Sequence, residues 1–364
     1  MLRHPNSHRL LVLPVVAATL LLGAGCQGTT GLPPELVLDD VRTLIEAADA
    51  FGSITFADAA TGQIIALSNG NPQVKVLMPD SSGRIELERS AGPDRVHVTR
   101  SARARSHART LVLDERMGHQ RVLSVEPGGD LREIAGFQSR FVYRSCFLDN
   151  GDLLAEVSDN FGGNHQLILV AEETPADSLE TLPATVQVSL GDKSRSFLID
   201  QPFAQTLAWT CTRDGYLMWD ELSGALVHRD PESARSDTVT IITSQYPVRA
   251  DDRAHWIENA MPGETMRPIR MQAESKLRFP NRFPAVLELL AESDSLVWVK
   301  KSDTRTNSEW EVYVVGRRHG RIVLPTSLRI VGLRDGRALL IDSSSADGDR
   351  VVSASWRLSD ESPG

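Results

Sequence analysis

The chain has 364 residues, 39 of them basic and 48 acidic, for a formal net charge of −9, and 41% are hydrophobic. This acidity argues against nucleic acid as a partner, because such binding rests on cationic contacts to phosphate. G-x-x-x-x-G-K-[ST], G-x-S-x-G and H-E-x-x-H are all absent, so P-loop nucleotide binding, α/β-hydrolase chemistry and zinc-protease chemistry lack their signatures.

The chain opens on a basic stretch, Met1 to Arg9, that carries Arg3 and Arg9 and no acid. Leu10 to Leu22 is apolar but shorter than the roughly 20 residues of a membrane span. Gly23-Ala24-Gly25-Cys26 closes it. Small residues before a cysteine resemble a bacterial lipobox, with Gly23 where leucine is commonest. The resemblance implies cleavage after residue 25, lipidation of the Cys26 thiol and attachment to a membrane through that lipid. An ordinary secretory signal with an incidental cysteine is the alternative. Gln27 stands where an Asp would follow the cysteine in other lipoproteins. By resemblance to envelope lipoproteins of two-membrane bacteria, this implies the outer membrane, facing the periplasm or the cell surface. Residues 1–25 are therefore expected to be a signal peptide and 26–44 a lipidated tether. Removing Arg3 and Arg9 leaves 37 basic residues against 48 acidic ones.

The mature part reads as short apolar runs split by Gly, Asp, Asn and Ser, a pattern that predicts β-strands. One arrangement recurs: an apolar run ends in an acid, a polar turn follows, and a second apolar run leaves it. The first copy is Ile54 to Asp58, followed by Leu111 to Asp114 and Leu154 to Asp159. Leu217 to Asp220 and Leu339 to Asp342 repeat it, while Leu296 to Val299 leads instead into Lys300 and Lys301. Units recur every 42 to 79 residues or so, bracketing the length of one propeller blade, with the excess in insertions. One insertion runs from Thr174 to Phe203. The other, Arg249 to Pro284, has helical spacing: Asp251 or Asp252 can cap a start, Trp256, Ile257, Ala260 and Met261 share a face, and Pro262-Gly263 ends it.

The unit Val112-Leu113-Asp114-Glu115-Arg116-Met117-Gly118-His119-Gln120-Arg121-Val122 is similar to NHL-type repeats. Six such units in order resemble the six-bladed β-propeller lipoproteins of unassigned function in bacterial envelopes. The resemblance implies an all-β, six-bladed β-propeller over 45–358, with a partly helical insertion at 249–284 before the fifth blade. Residues 359–364 would be a tail.

The recurrent acids invite two readings. An Asp at the end of a strand accepts hydrogen bonds from amides of the turn ahead, and every repeat poses the same local problem, so turn capping is expected. The alternative is a calcium ion in a central channel, as in propeller lactonases and esterases, drawing on Asp159, Asn160, Asn164, Asp149, Asn150 and Asn71. The histidines stand singly, without zinc spacing, and are expected in solvent or turns. Cys146 and Cys211 each precede an Asp by three residues in successive units; buried free thiols are expected, with a disulfide as the alternative. A basic run between Arg95 and Arg109 reads as a solvated loop.

No catalytic residue, metal site or cofactor is expected. The expected function is a monomeric, membrane-tethered binding or scaffold module for an envelope protein, peptide or glycan. The alternatives are a calcium-dependent hydrolase and a solute-binding sensor in which the 249–284 segment closes over a ligand.

Overall fold

Apolar side chains that alternate along a strand give it two faces, and this chain uses both. In Leu153–Ser158 every residue is buried. Leu153, Ala155 and Val157 pack with Val122 and Phe137 on one side. Leu154 packs with Trp209, Tyr216 and Met218 on the other. Such a strand lies in the middle of a sheet that is itself stacked between two others. The computed structural model describes residues 34–45 and, with gaps at connecting segments, 54–358, giving strands alone up to residue 118. All described residues belong to one unit, Pro33–Gly364.

The described residues are mostly β, with two helices. Four antiparallel sheets of four strands follow the chain: sheet one (54–86), sheet two (103–138), sheet three (141–182) and sheet four (209–241). An eight-stranded sheet follows, and its strand order divides it into two halves. Sheet five holds Glu288–Ser293, Leu296–Asp303, Asn307–Val314 and Arg317–Pro325. Sheet six holds Leu328–Arg334, Arg337–Asp342, Arg350–Leu358 and, as its fourth strand, Glu35–Ile45. The first strands of neighbouring sheets touch in a cycle: one with two, two with three, four with five, five with six, and six with one. Sheets three and four meet through their shared core.

The strand Glu35–Ile45 corrects the expected tether of residues 26–44. It runs antiparallel to Arg350–Leu358, pairing from Leu36↔Leu358 to Ile45↔Val351, and touches Arg317–Pro325 in parallel. The chain's two ends thus close one sheet. Gly320 makes the passage: a Cβ there would lie 2.7 Å from Leu36 Cγ and 2.9 Å from the Pro34 carbonyl. That carbonyl accepts the Arg321 N–H at 2.8 Å.

Sheet five shows the alternation most clearly. Trp298, Trp310 and Val312 face sheet six, with Ile330, Leu340 and Leu36. Val297, Val299 and Tyr313 face sheet four, with Leu217, Trp219 and Leu226. Each such fully buried large side chain contributes about 1.5–3 kcal/mol.

Helix α1 (Ala250–Ala260) and helix α2 (Arg267–Lys276) lie in the chain between sheets four and five. The Asp252 carboxylate accepts the Arg249 backbone N–H at 2.7 Å, so the expected capping acid works backwards from the third helical position. The helix α2, which the sequence pattern does not announce, buries Ala273. It packs on the hairpin Gln187–Gly191/Ser196–Asp200, which comes from the other insertion. Leu190, Ile257, Met261, Ala273 and Leu277 make their common core. Phe203 anchors the assembly edge-on against Phe283, 4.7 Å between centroids, with Phe279 and Trp256 beside it. Gln272 Oε1 accepts the Gly191 N–H at 2.9 Å. Two insertions far apart in sequence thereby form one accessory unit.

The cysteines correct another expectation. Cys146 and Cys211 form a disulfide with a Cα–Cα distance of 6.5 Å. The first strands of sheets three and four lie face to face, so equivalent positions in successive units come within bonding range.

Candidate binding cleft

Two of the recurrent acids, Asp220 and Asp342, are turn caps. Asp220 Oδ1 accepts the Leu222 N–H at 3.1 Å, and Oδ2 accepts the Ser223 hydroxyl at 2.6 Å. The Ser223 bond holds the Asp220 carboxyl below its usual range. Asp342 accepts the Ser344 N–H at 2.9 Å and is bridged by Arg350. Burial raises the Asp342 pKa, and the bonds from Ser344 and Arg350 outweigh it, so the carboxyl sits below its usual range. Both acids end the second strand of their sheet, as does Asp114. Ile54–Ala57, by contrast, is the first strand of its sheet, and Asp58 lies outside the described residues.

The apparent exception at Lys300 dissolves. The strand continues to Asp303, whose carboxylate takes Lys300 Nζ at 2.7 Å. A register shift between Lys300 and Ser302 marks a bulge at Lys301. The extra residue sends the Lys301 side chain inward, where it is fully buried and donates to the Ala285 carbonyl. A cation removed from water with one neutral partner is expensive. Burial pushes the Lys301 ammonium down to about 8, against the attraction of Glu311 and Glu309.

Glu311 is the second buried charge, on the next strand, with its side chain fully covered. It accepts from Ser244 Oγ at 2.9 and 3.1 Å, Tyr313 OH at 2.8 Å and Arg318 Nη1 at 3.0 Å. Tyr246 OH lies 3.5 Å away. Burial first, and the neighbouring carboxylates second, raise both tyrosines above their ordinary range. Ser244 and Tyr246 lead into α1, and Ala285 leads out of the helical segment. Glu311 therefore holds one end of the segment and Lys301 the other.

Beside this clamp lies a cavity of about 550 Å³ between the start of α1 and the turn after Leu296–Asp303. Tyr246, Phe283, Ser302 and Glu309 line its inner part; Arg249, Asp251, Arg305 and Asn307 stand at its rim. Glu309 is paired with Arg321 at 3.1 Å. Arg305 reaches across to Glu258 of α1 at only 3.8 Å, with both side chains well exposed. A cavity of this size with a few convergent polar groups has the form of a ligand pocket. The connections bearing it, from fourth strand to first and from second strand to third, emerge at the same edge of an antiparallel meander.

Another buried acid joins sheets three and four. Glu156 accepts Trp209 Nε1 at 2.7 Å and pairs with His165 Nδ1 at 2.6 Å, and Tyr143 stacks on the His165 ring at 4.2 Å. Burial raises the Glu156 pKa, but His165, Arg144 and Trp209 outweigh it and the carboxyl is held low. His165 is thus not the solvent histidine expected. His228 meets Thr212 at 3.0 Å and His255 meets Asn259 at 3.0 Å.

Of the oxygen ligands weighed for calcium, Asp159 and Asn164 are exposed, and Asn150 caps its own turn by accepting the Asp152 N–H at 3.0 Å. Asp149, Asn160 and Asn71 lie outside the described residues, as do Cys26 and the run from Arg95 apart from strand backbone. Among the described residues, no three His, Cys, Asp or Glu side chains converge as a metal site, and no helix is long and apolar enough to cross a membrane. The cleft itself is signalled in the sequence only by Asp251 and by the departure at Lys300 and Lys301.

No family model and no curated protein matches the chain. Solved structures similar to it include a putative exported protein from Bacteroides fragilis, 8% identical over 89% of this chain and 95% of that one, with a TM-score of 0.45. Regucalcin, a calcium-binding protein from Agrobacterium tumefaciens, is 10% identical over 89% and 95%, with a TM-score of 0.41. The PQQ-bound aldose sugar dehydrogenase from Streptomyces coelicolor is 10% identical over 90% and 100%, with a TM-score of 0.42.

Proposed function

We propose that this chain is a six-bladed β-propeller whose sixth blade is completed by Glu35–Ile45, anchored in the outer membrane through lipidated Cys26. It acts there as a monomeric, non-enzymatic binding module for an envelope protein, peptide or glycan. The cyclic contact of first strands supports the ring. The Cys146–Cys211 bridge supports an oxidising compartment outside the cytoplasm. The observation that carries the binding reading is the accessory unit. Two separate insertions fold together, and the buried charges that fasten them to sheet five, Glu311 and Lys301, sit beside an open polar cleft. Function lies on sites rather than on the fold, and this cleft is built from what the repeats do not share.

A photo-crosslinking amino acid at position 305, introduced in cells of the producing bacterium, tests the reading. A discrete crosslinked species that is absent when the probe stands at Asp237, on the outer strand of sheet four, is expected. Identical products from both positions would contradict it. Mass spectrometry of the N-terminal peptide tests the anchor: a diacylglyceryl-modified Cys26 is expected, and an unmodified one would remove it.

A further inference from the structure

Asn307 closes the turn at the cleft rim. Its Oδ1 accepts the Thr304 hydroxyl at 3.2 Å and the Thr306 hydroxyl, while its backbone N–H donates to Thr304 Oγ1 at 3.1 Å. With the carbonyl side of the amide so occupied, the amide nitrogen is left as a pair of donors with no partner among the described residues. Arg249 pairs with no carboxylate among the described residues, and Arg305 has only its long contact to Glu258. Asp251 is likewise exposed and unpaired. The other two acids of the cleft are committed, Asp252 to the Arg249 backbone and Glu309 to Arg321. Behind the rim lie the Tyr246 ring and the Phe283 edge.

The groups left open are two guanidinium donors, one amide donor, one carboxylate acceptor and an aromatic wall. Each candidate ligand class can be weighed against that set. A bare phosphate would meet Asp251 and the nearby Glu309 as like charges. A simple cation would meet Arg249 and Arg305. A neutral sugar would leave two guanidinium groups desolvated without a counter-charge. A sugar that carries one carboxylate satisfies all of them: its carboxylate is held by guanidinium groups, whose planar fork suits it. Its ring hydroxyls donate to Asp251 and accept from Asn307, and its apolar face lies on Tyr246.

We propose that the cleft between α1 and the 304–307 turn binds an acidic saccharide, with a uronic acid residue seated between Arg305, Arg249, Asp251 and Asn307. This rests on the binding role proposed above and names the ligand chemistry of that site.

The test uses the full chain in detergent, with a glucuronate-containing disaccharide, its neutral glucose counterpart, inorganic phosphate and a dipeptide with a free C-terminus as probes in calorimetry and thermal unfolding. The glucuronate disaccharide is expected to bind and to raise the unfolding temperature, with the neutral disaccharide at least about tenfold weaker, the loss set by one charge-assisted contact. Arg305→Gln and Asp251→Asn change exposed side chains. Both are expected to keep the unfolding temperature of the free protein and to weaken the glucuronate probe by about tenfold or more. Equal binding of phosphate or the dipeptide, wild-type affinity in both variants, or no binding of the glucuronate probe would each overturn the proposal. A position-305 crosslink to an envelope protein with no glucuronate binding would overturn the ligand class and leave the binding role standing. Glucuronate binding without that crosslink would support the ligand class alone.

Discussion

The acids at the strand turns and the acids inside the sheets do opposite jobs. Asp220 and Asp342 recur at the same place in their sheets and bond to their own turns within three residues in the chain, apart from the Arg350 bridge at Asp342. Glu311 and Glu156 occupy no repeated position, are buried, and bond across distance: Glu311 to Ser244, 67 residues away, and Glu156 to Trp209, 53 residues away. A repeated residue solves a problem that every repeat has. An unrepeated buried charge joins particular elements: Glu156 joins sheets three and four, and Glu311 joins sheet five to the segment that leads into the accessory unit. The comparison makes the turn acids cheap to remove and the interior acids costly, and the following experiments set those costs against each other.

The largest effect is expected at Glu311. Glu311→Ala leaves Arg318 without its counter-charge, Lys301 with only Glu309, and Ser244 and Tyr313 without their acceptor, at a cost of about 3–5 kcal/mol. Urea unfolding of wild type and variant measures it. A loss under about 1 kcal/mol would place Glu311 with the surface acids.

Reducing Cys146–Cys211, which closes 65 residues of chain, comes next. Loop-closure entropy for that length corresponds to about 4 kcal/mol, and about 2–4 is typical. Unfolding with and without reductant reads it, and equal midpoints would contradict the bridge.

Lys301 carries a pH signature of its own. Its folded pKa of about 8 lies below the unfolded value of 10.5, so between these pH values the unfolded chain binds more protons. Stability from this group therefore rises with pH across that window, by up to about 3 kcal/mol. The tyrosines oppose it further up. Tyr246 and Tyr313 have folded values above the ordinary 10.0, so ionisation in the unfolded chain lowers stability above pH 10. Lys301→Met is expected to cost about 1–3 kcal/mol at pH 7, since it leaves the Ala285 carbonyl without its donor. It should also remove the rise between pH 8 and 9.5. A parallel rise in the variant would show that another group causes it.

The smallest effect belongs to the turns. Asp220→Ala should cost only about 0.5–1 kcal/mol, the worth of exposed hydrogen bonds. Its folded pKa is lowered, so its contribution is present above the unfolded value of 3.8 and is lost as pH falls through the folded one. Wild type and variant should converge at acid pH; a cost of several kcal/mol at neutral pH would break the contrast with Glu311.

How much of this the sequence discloses follows from the range of each interaction. The strands, the turn caps at Asp220 and Asp342 and the helix α1 depend on neighbours within a few residues, and spacing reveals them. Glu35–Ile45 contains Glu35, Asp39, Asp40 and Arg42, reads as a polar lead, and becomes a strand only where Arg350–Leu358 offers it an edge. The helix α2 is polar and carries Pro268; its buried face exists because a hairpin some 80 residues earlier receives it. Lys301 and His165 look like surface residues until a bulge and a facing acid turn them inward. The cleft is legible only as departures from the repeat: the 249–284 insertion with Asp251, and Lys300 and Lys301 in place of an acid.

Glu311 and Lys301 fasten the accessory unit to sheet five. Hydrogen exchange on wild type and Glu311→Gln tests it most directly. The expected result is faster exchange from Tyr246 through Lys276, with the strands of sheets two and three unchanged. Uniform acceleration across all sheets, or an unchanged accessory unit, would contradict it.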